Sequence, residues 1–295
     1  MAAAVTTASA TATRGVGKPS RRRSAVWLGL TPFAIYIVLF LAIPAVLAVG
    51  SGFFSSTGSF TFANFSSLTD PSVQSDYFNT VGLSAFTAVV GAIIGALICF
   101  ALLGTKPDGA LRTVVDSAAS VLAQFGGVML AFAFITIIGL QGIITQWLVQ
   151  AGLVNNVFNS FNNNGTLIYQ VAGLSIPYLY FQIPLMVLTF MPAMEGLKAT
   201  WGEANATLGG TRFTYWTRIG FPILAPAFFG SMILLFANAF SSYATAAALI
   251  SQGGIFPLDI RGFINSETVV GHQNAAGVLA LVMVVTMIIV MWLYS

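Results

Sequence analysis

The sequence predicts an all-α integral membrane protein with six transmembrane helices. Three observations carry the prediction: composition, the length of the apolar runs and a one-sided placement of basic residues. Of 295 residues, 57% are hydrophobic and 6% charged, and the mean hydropathy is +0.89. Soluble domains carry about 25% charged residues, so a soluble enzyme of this length is excluded. About 20 apolar residues cross the hydrocarbon core, and six stretches qualify: Val26 to Val49, Val81 to Leu103, Val114 to Ile138, Leu167 to Phe190, Ile219 to Phe240 and Ala275 to Tyr294. None holds a Lys or Arg. Their one acid is Asp116, at the start of the third run, where head groups hydrate it or Arg112 pairs with it at i, i−4. A charge at mid-bilayer would cost about 2.5–3.5 kcal/mol.

Orientation follows from the basic residues. With the N-terminus in the cytoplasm, ten of the eleven lie inside: Arg14, Lys18, Arg21, Arg22, Arg23, Lys106, Arg112, Lys198, Arg212 and Arg218, leaving Arg261 outside. Residues 1–24, rich in Ala, Ser and Thr, read as a disordered basic cytoplasmic arm, and residues 25–295 as the membrane domain. The apolar run after the arm spans about 24 residues, too long for the 7–15 of a cleaved signal peptide. The basic tract therefore anchors an uncleaved span, and nucleic acid is not implied.

The loop from Gly50 to Asp76 holds Phe53, Phe54, Phe60, Phe62 and Phe65, for burial against other spans in preference to the membrane surface. In the second span, Gly91-x-x-x-Gly95 predicts a close helix crossing, and Cys99 is a packing residue. Ile143, Ile144, Trp147, Leu148 and Leu153 suggest an amphipathic helix in the outer interface, and Asn162-Asn163-Asn164-Gly165 a turn. Uncharged polar groups within spans are costly unless they face water, solute or another helix. Gln124 in the third span, Tyr178 and Gln182 in the fourth, and Asn238 near the outer end of the fifth are thus candidates for a translocation path or for polar ties between helices. Pro177 and Pro184 bend the fourth span and Pro192 marks its end.

The loop after Pro192 is expected to be folded. Met194 to Leu208 is helix-compatible, with Leu197, Trp201, Ala204 and Leu208 on one stripe that needs a partner. Gly209-Gly210 breaks this helix, Thr211 caps a second short one, and Arg212, Tyr215, Trp216 and Ile219 lead into the fifth span, near Pro222 and Pro226. There is no phosphate-binding Gly-x-x-x-x-Gly-Lys-Ser/Thr, so the chain is not itself an ATPase. A single cysteine and a single histidine, His272 in an outer loop, build neither a disulfide nor a metal cluster.

Glu203-Ala204-Asn205, Gly209 six positions on, then Ile219-Gly220-Phe221-Pro222 resembles the "EAA" signature of the membrane-spanning subunits of bacterial ABC importers. Glu, the first Ala, Gly, Ile and Pro are in register, and the chain departs at Asn205 for Ala and Phe221 for Leu. The resemblance implies a type I importer permease fold with a coupling loop at about 194–222, in which Glu203, Ala204, Gly209, Arg212, Ile219 and Pro222 meet an ATPase. It implies four partners: an ATP-binding cassette dimer holding ATP and Mg, a second permease, identical or homologous, an extracytoplasmic solute-binding protein and the bilayer. No cofactor is expected in this chain. Location in the bacterial cell membrane follows. Leu208-Gly209-Gly210 is similar to the polyamine, phosphonate, thiosulfate and iron branch more than to sugar permeases, pointing to a small charged solute. The rivals are a sugar-importing permease, a secondary transporter or channel, for which a mid-span acid and repeated halves are lacking, and a membrane scaffold. The end at Ser295, without a polar tail, suggests a shortened C-terminus.

Overall fold

The computed structural model describes residues 22–106, 109–152, 167–250, 253–266 and 272–294. Most of the expected arm, Leu153 and the Asn162-Asn163-Asn164-Gly165 turn lie outside these residues, as does the side chain of His272. The arm's last residues, Arg22, Arg23 and Ser24, open the first helix instead of preceding it.

The chain divides into residues 1–47 and 48–295. In the first unit, α1 (Arg22–Ile37) passes through one π turn, Val38–Ala42, into α2 (Ile43–Ser51). The π turn closes with the Ile43 amide donating to Val38 O, one residue before Pro44. Proline has no N–H with which to continue the ladder, so the slack is taken up in a wider turn.

The second unit is built on α3 (Pro71–Leu103), 33 residues long. At 1.5 Å per residue this is about 50 Å, more than the roughly 30 Å hydrocarbon core. Asp70 caps it, accepting from the Ser72 amide (2.9 Å) and hydroxyl (2.8 Å), which hold its carboxyl below the usual range. Against α3 pack α7 (Ser175–Glu195) and α10 (Phe221–Phe240), with α4 (Ala110–Gln124) on α7. Gly91 and Gly95 face Gln182 and Met186, so the expected close crossing is α3 on α7. Cys99 is buried, its Sγ 3.8 Å from Val187 O, as a packing residue would be.

These contacts advance together along α3 and α7, which therefore run the same way. Along α10 they run backward, from Leu235 beside Gly91 to Trp216 stacked edge-on to Phe100 (5.1 Å). The last helix, α13 (His272–Tyr294), returns along α10 and ends with Tyr294 Oη donating to Pro226 O (2.7 Å). One end of the unit thus collects Lys106, Arg112, Lys198, Arg212 and Arg218. The opposite end carries α12 (Phe256–Asn265) with Arg261, whose approach is pinned where Asp76 accepts from Gly254 N and Thr80 from Phe256 N, both at 2.8 Å.

Three expectations are corrected. The third apolar run is interrupted: α4 stops at Gln124 and α5 (Gly127–Ile138) restarts after Phe125-Gly126, with Gly127 at φ +72°. The membrane-length stretch becomes Gly127–Gln150, α5 followed by α6 (Ile143–Gln150). The physical reason is the Gly126-Gly127 pair, whose left-handed turn, open to glycine, is held where the Gly127 amide donates to Thr245 Oγ1 (3.0 Å) at α11 (Ala244–Leu249). Second, Pro192 does not end the fourth span, because α7 continues through it to Glu195. Third, the Phe-rich loop is only partly buried. Phe53 and Phe65 are half-buried, while Phe54, Phe60 and Phe62 are exposed; Phe60 and Phe62 pack on Phe53, and Phe54 on Phe60, in one ring cluster. Among the described residues, six helical stretches have the length and hydropathy to cross a membrane, and the protein is a multi-pass membrane protein.

Candidate coupling loop and translocation residues

Helix α7 hands over through Gly196-Leu197-Lys198 to α8 (Ala199–Thr207). The expected helix from Met194 is therefore two pieces. Met194 is buried with α7, and Leu197 packs partly buried against the core of α3, α7 and α10. Of the expected stripe, Trp201 is half-buried under Lys198, whose Nζ lies 5.9 Å from its ring centroid. Ala204 is exposed, and Leu208 is 87% exposed. Its outer half, Ala204 and Leu208, is left uncovered among the described residues.

The corner is built on Gly209, at φ +77°, a conformation costing an L-residue roughly 1–2 kcal/mol. The Gly209 amide donates to Ala206 O (3.0 Å) and the Gly210 amide to Asn205 O (2.8 Å), satisfying carbonyls at the end of α8. Asn205 braces the turn from inside, its Nδ2 donating to Thr211 O (3.1 Å) while its Oδ1 lies against the Gly210 Cα, where no Cβ would fit. An alanine at 205 could make none of these side-chain contacts. The departure from the importer pattern is thus itself structural, missed in the sequence because Asn205 reads there as a neutral swap. Thr211 caps α9 (Arg212–Tyr215) as expected, accepting from the Thr214 amide (3.2 Å).

A second π turn, Trp216–Gly220, joins α9 to α10, with the Phe221 amide donating to Trp216 O just before Pro222. This is the device seen before Pro44. Trp216 closes over Gly220, where a Cβ would come within 2.7 Å of the indole, and anchors the loop to Phe100 of α3. Glu203, Arg212 and Pro222 are exposed, and Ile219 is half-buried. Phe213, 77% exposed, is a second bare apolar residue of the loop after Leu208, a feature not singled out from the sequence. Glu203 makes no ion pair among the described residues.

The translocation candidates separate into two environments. Gln182 is fully buried, its Nε2 donating to Thr87 Oγ1 (3.1 Å) and Leu235 O (3.4 Å), a tie among α3, α7 and α10. Tyr178 is buried and donates to Ser242 O (2.8 Å). Gln124 is exposed at the α4–α5 break and Asn238 is half-buried on α10. The pair expected from spacing is present, with Arg112 Nε 3.6 Å from Asp116. A partner that spacing could not reveal joins it, because the Arg112 guanidinium also pairs with Glu195 at the end of α7.

No family model matches the chain. It is similar to the spermidine/putrescine transport system permease protein PotB of Haemophilus influenzae, 22% identical over 244 residues covering 81% of each chain. It also resembles the sulfate transport system permease protein CysT of Escherichia coli, 24% identical over 64% of this chain and 62% of that one. CysT of Synechocystis is 26% identical over 74% of this chain and 70% of its own length. In fold it matches a bacterial ABC transporter involved in import of the acidic polysaccharide alginate, with TM-score 0.71 and 17% identity over 92% of this chain and 96% of that one. The alginate transporter in complex with its alginate pentasaccharide-bound periplasmic protein superposes at TM-score 0.70 and 15% identity, over 95% and 96%.

Proposed function

We propose that this chain, a homologue of ABC-importer permeases in sequence and in fold, is the membrane-spanning subunit of an ATP-driven, binding-protein-dependent importer. It supplies half of a solute pathway and couples it to a separate ATPase. The observation that carries this is the braced bend from Ala199 to Pro222, with five signature positions in register and an exposed apolar tip, at the end where basic residues gather. An importer must pass the closure of ATP-binding domains to its helices, and a floppy loop would absorb that motion. Here a glycine corner, an Asn strut and a Trp anchor stiffen it.

On this reading the basic end faces the cytoplasm of a bacterial cell, the N-terminus with it. ATP and Mg are held by the ATPase dimer, while a second permease, identical or homologous, completes the pathway. An extracytoplasmic protein delivers the solute. A small charged solute, a polyamine or an inorganic oxyanion, is favoured by Leu208-Gly209-Gly210 and by the polyamine and sulfate relatives. The alginate transporters share the fold alone and do not move the assignment to sugars.

Tagged chain purified from its host membranes should retain an ATP-binding subunit. Glu203→Ala and Gly209→Pro should lose transport-coupled ATP hydrolysis while remaining membrane-inserted, since proline fixes φ near −65° where +77° is needed. Purification as an active transporter with no ATPase would overturn the proposal.

A further inference from the structure

The loop's tip is exposed, so its motion must enter the bundle through its roots. One root is the Trp216–Phe100 contact. The other is charged. Glu195 is the last residue of α7, and only Gly196-Leu197-Lys198 separate it from α8. Its carboxylate pairs with Arg112 in the first turn of α4, whose side chain is just 10% exposed, and Asp116 Oδ2 sits 3.6 Å from the same guanidinium. At 10% side-chain exposure the guanidinium is poorly hydrated, so losing the Glu195 carboxylate leaves it Asp116 as its remaining acidic partner, although both carboxylates are themselves about half exposed (47% and 46%). The pair therefore resists separation, and a displacement of Glu195 displaces α4. Helix α4 leads through the Phe125-Gly126 break into α5, the first part of the membrane-length stretch Gly127–Gln150.

We infer that Arg112 and Glu195 form a latch that carries movement of the coupling helix sideways, from the root of α8 into α4 and α5, making both positioning residues of the transport cycle. The inference rests on the coupling role proposed above. Asp116 has a subordinate part: it lies on the same helix as Arg112, so it aims the guanidinium without bridging two elements.

The test uses the tagged complex in nanodiscs, with Cys99→Ala and nitroxide labels at Thr200→Cys on α8 and Ser117→Cys on α4, both exposed. Distances are recorded without nucleotide and after trapping with ATP and vanadate. The parent should show a narrow distribution that keeps its width on trapping. Glu195→Gln and Arg112→Met should broaden it and uncouple hydrolysis from transport, while Asp116→Asn stays close to the parent. The exchanged pair Arg112→Glu/Glu195→Arg should recover the narrow distribution, an outcome that loss of folding could not give. If the parent retains no ATP-binding subunit, the coupling role itself fails and the latch with it. If it retains one and Glu195→Gln is indistinguishable from the parent, or the exchanged pair gives no recovery, the latch alone is wrong.

Discussion

At the scale of single residues, Asn205 shows how a departure from a motif acquires a physical reason. Its Nδ2 bond to Thr211 O spans the glycine corner, and a hydrogen bond of this kind contributes about 1 kcal/mol. Asn205→Ala, which restores the importer pattern, should therefore loosen the corner. We expect amide exchange in residues 208–214 to accelerate roughly fivefold, with the thermal midpoint unchanged because the loop is exposed. Unchanged exchange would mean that the backbone bonds of Gly209 and Gly210 hold the turn alone. Gln182 is the buried counterpart. Its amide nitrogen is satisfied by Thr87 and Leu235, while Oε1 has no hydrogen-bond donor among the described residues and rests beside Gly91.

At the scale of elements, the crossing of α3 on α7 depends on how much room each glycine has. A Cβ on Gly95 would lie 2.5 Å from Met186 Cβ and 3.1 Å from Ile183 O, neither of which is a movable side-chain tip. On Gly91 it would meet Gln182 Oε1 at 3.1 Å and Cβ at 3.2 Å, while on Gly82 nothing lies within 4 Å. Alanine substitutions should rank accordingly in thermal unfolding in detergent. Gly95→Ala should lose about 1–3 kcal/mol by overpacking and Gly91→Ala less. Gly82→Ala should be neutral or gain up to about 1 kcal/mol from helix propensity. Equal effects at the three positions would exclude close packing as the role of this glycine pair. The π turns before Pro44 and Pro222 belong to this scale too: each lets a helix pass a proline by widening a single turn.

At the scale of the whole molecule, the two ends of the second unit differ in chemistry. The end opposite the coupling loop carries Asp259 of α12, whose pKa is pushed up to about 7, first by burial and then by the charge of Asp76 and a hydrogen bond with it, with Asp70 adding to the repulsion. The unfolded chain releases this proton near pH 4. Between about pH 4 and 7 the native state therefore binds the extra proton, so its contribution is full at acid pH and is lost as pH rises through 7. The melting temperature should fall between pH 5 and 8 in wild type, and Asp259→Asn should flatten that fall. A wild-type midpoint rising over the same interval would contradict the assignment. Such a pH response would sit apart from the coupling end, where the salt bridges belong to Arg112, Asp116 and Glu195.

Hydrophobicity, glycine corners and caps are local properties, and what they control is legible in residue order alone. That comprises the class of the protein, the number of its membrane-length helices, the bend after Leu208 and the cap at Thr211. It could place the Arg112–Asp116 pair because one helical turn separates the two. The tertiary structure alone decided the break of the third run at Phe125-Gly126, the passage of α7 through Pro192, the burial of Tyr178 and Gln182, and the pairing of Arg112 with Glu195. The burial and the pairing depend on partners far away in the chain. The crossing of α3 and α7 brings Thr87 to Gln182, and the packing of α4 on α7 brings Arg112 to Glu195. Residue spacing is silent about both, because periodicity shows which face a side chain occupies and the packing of helices selects what it meets there.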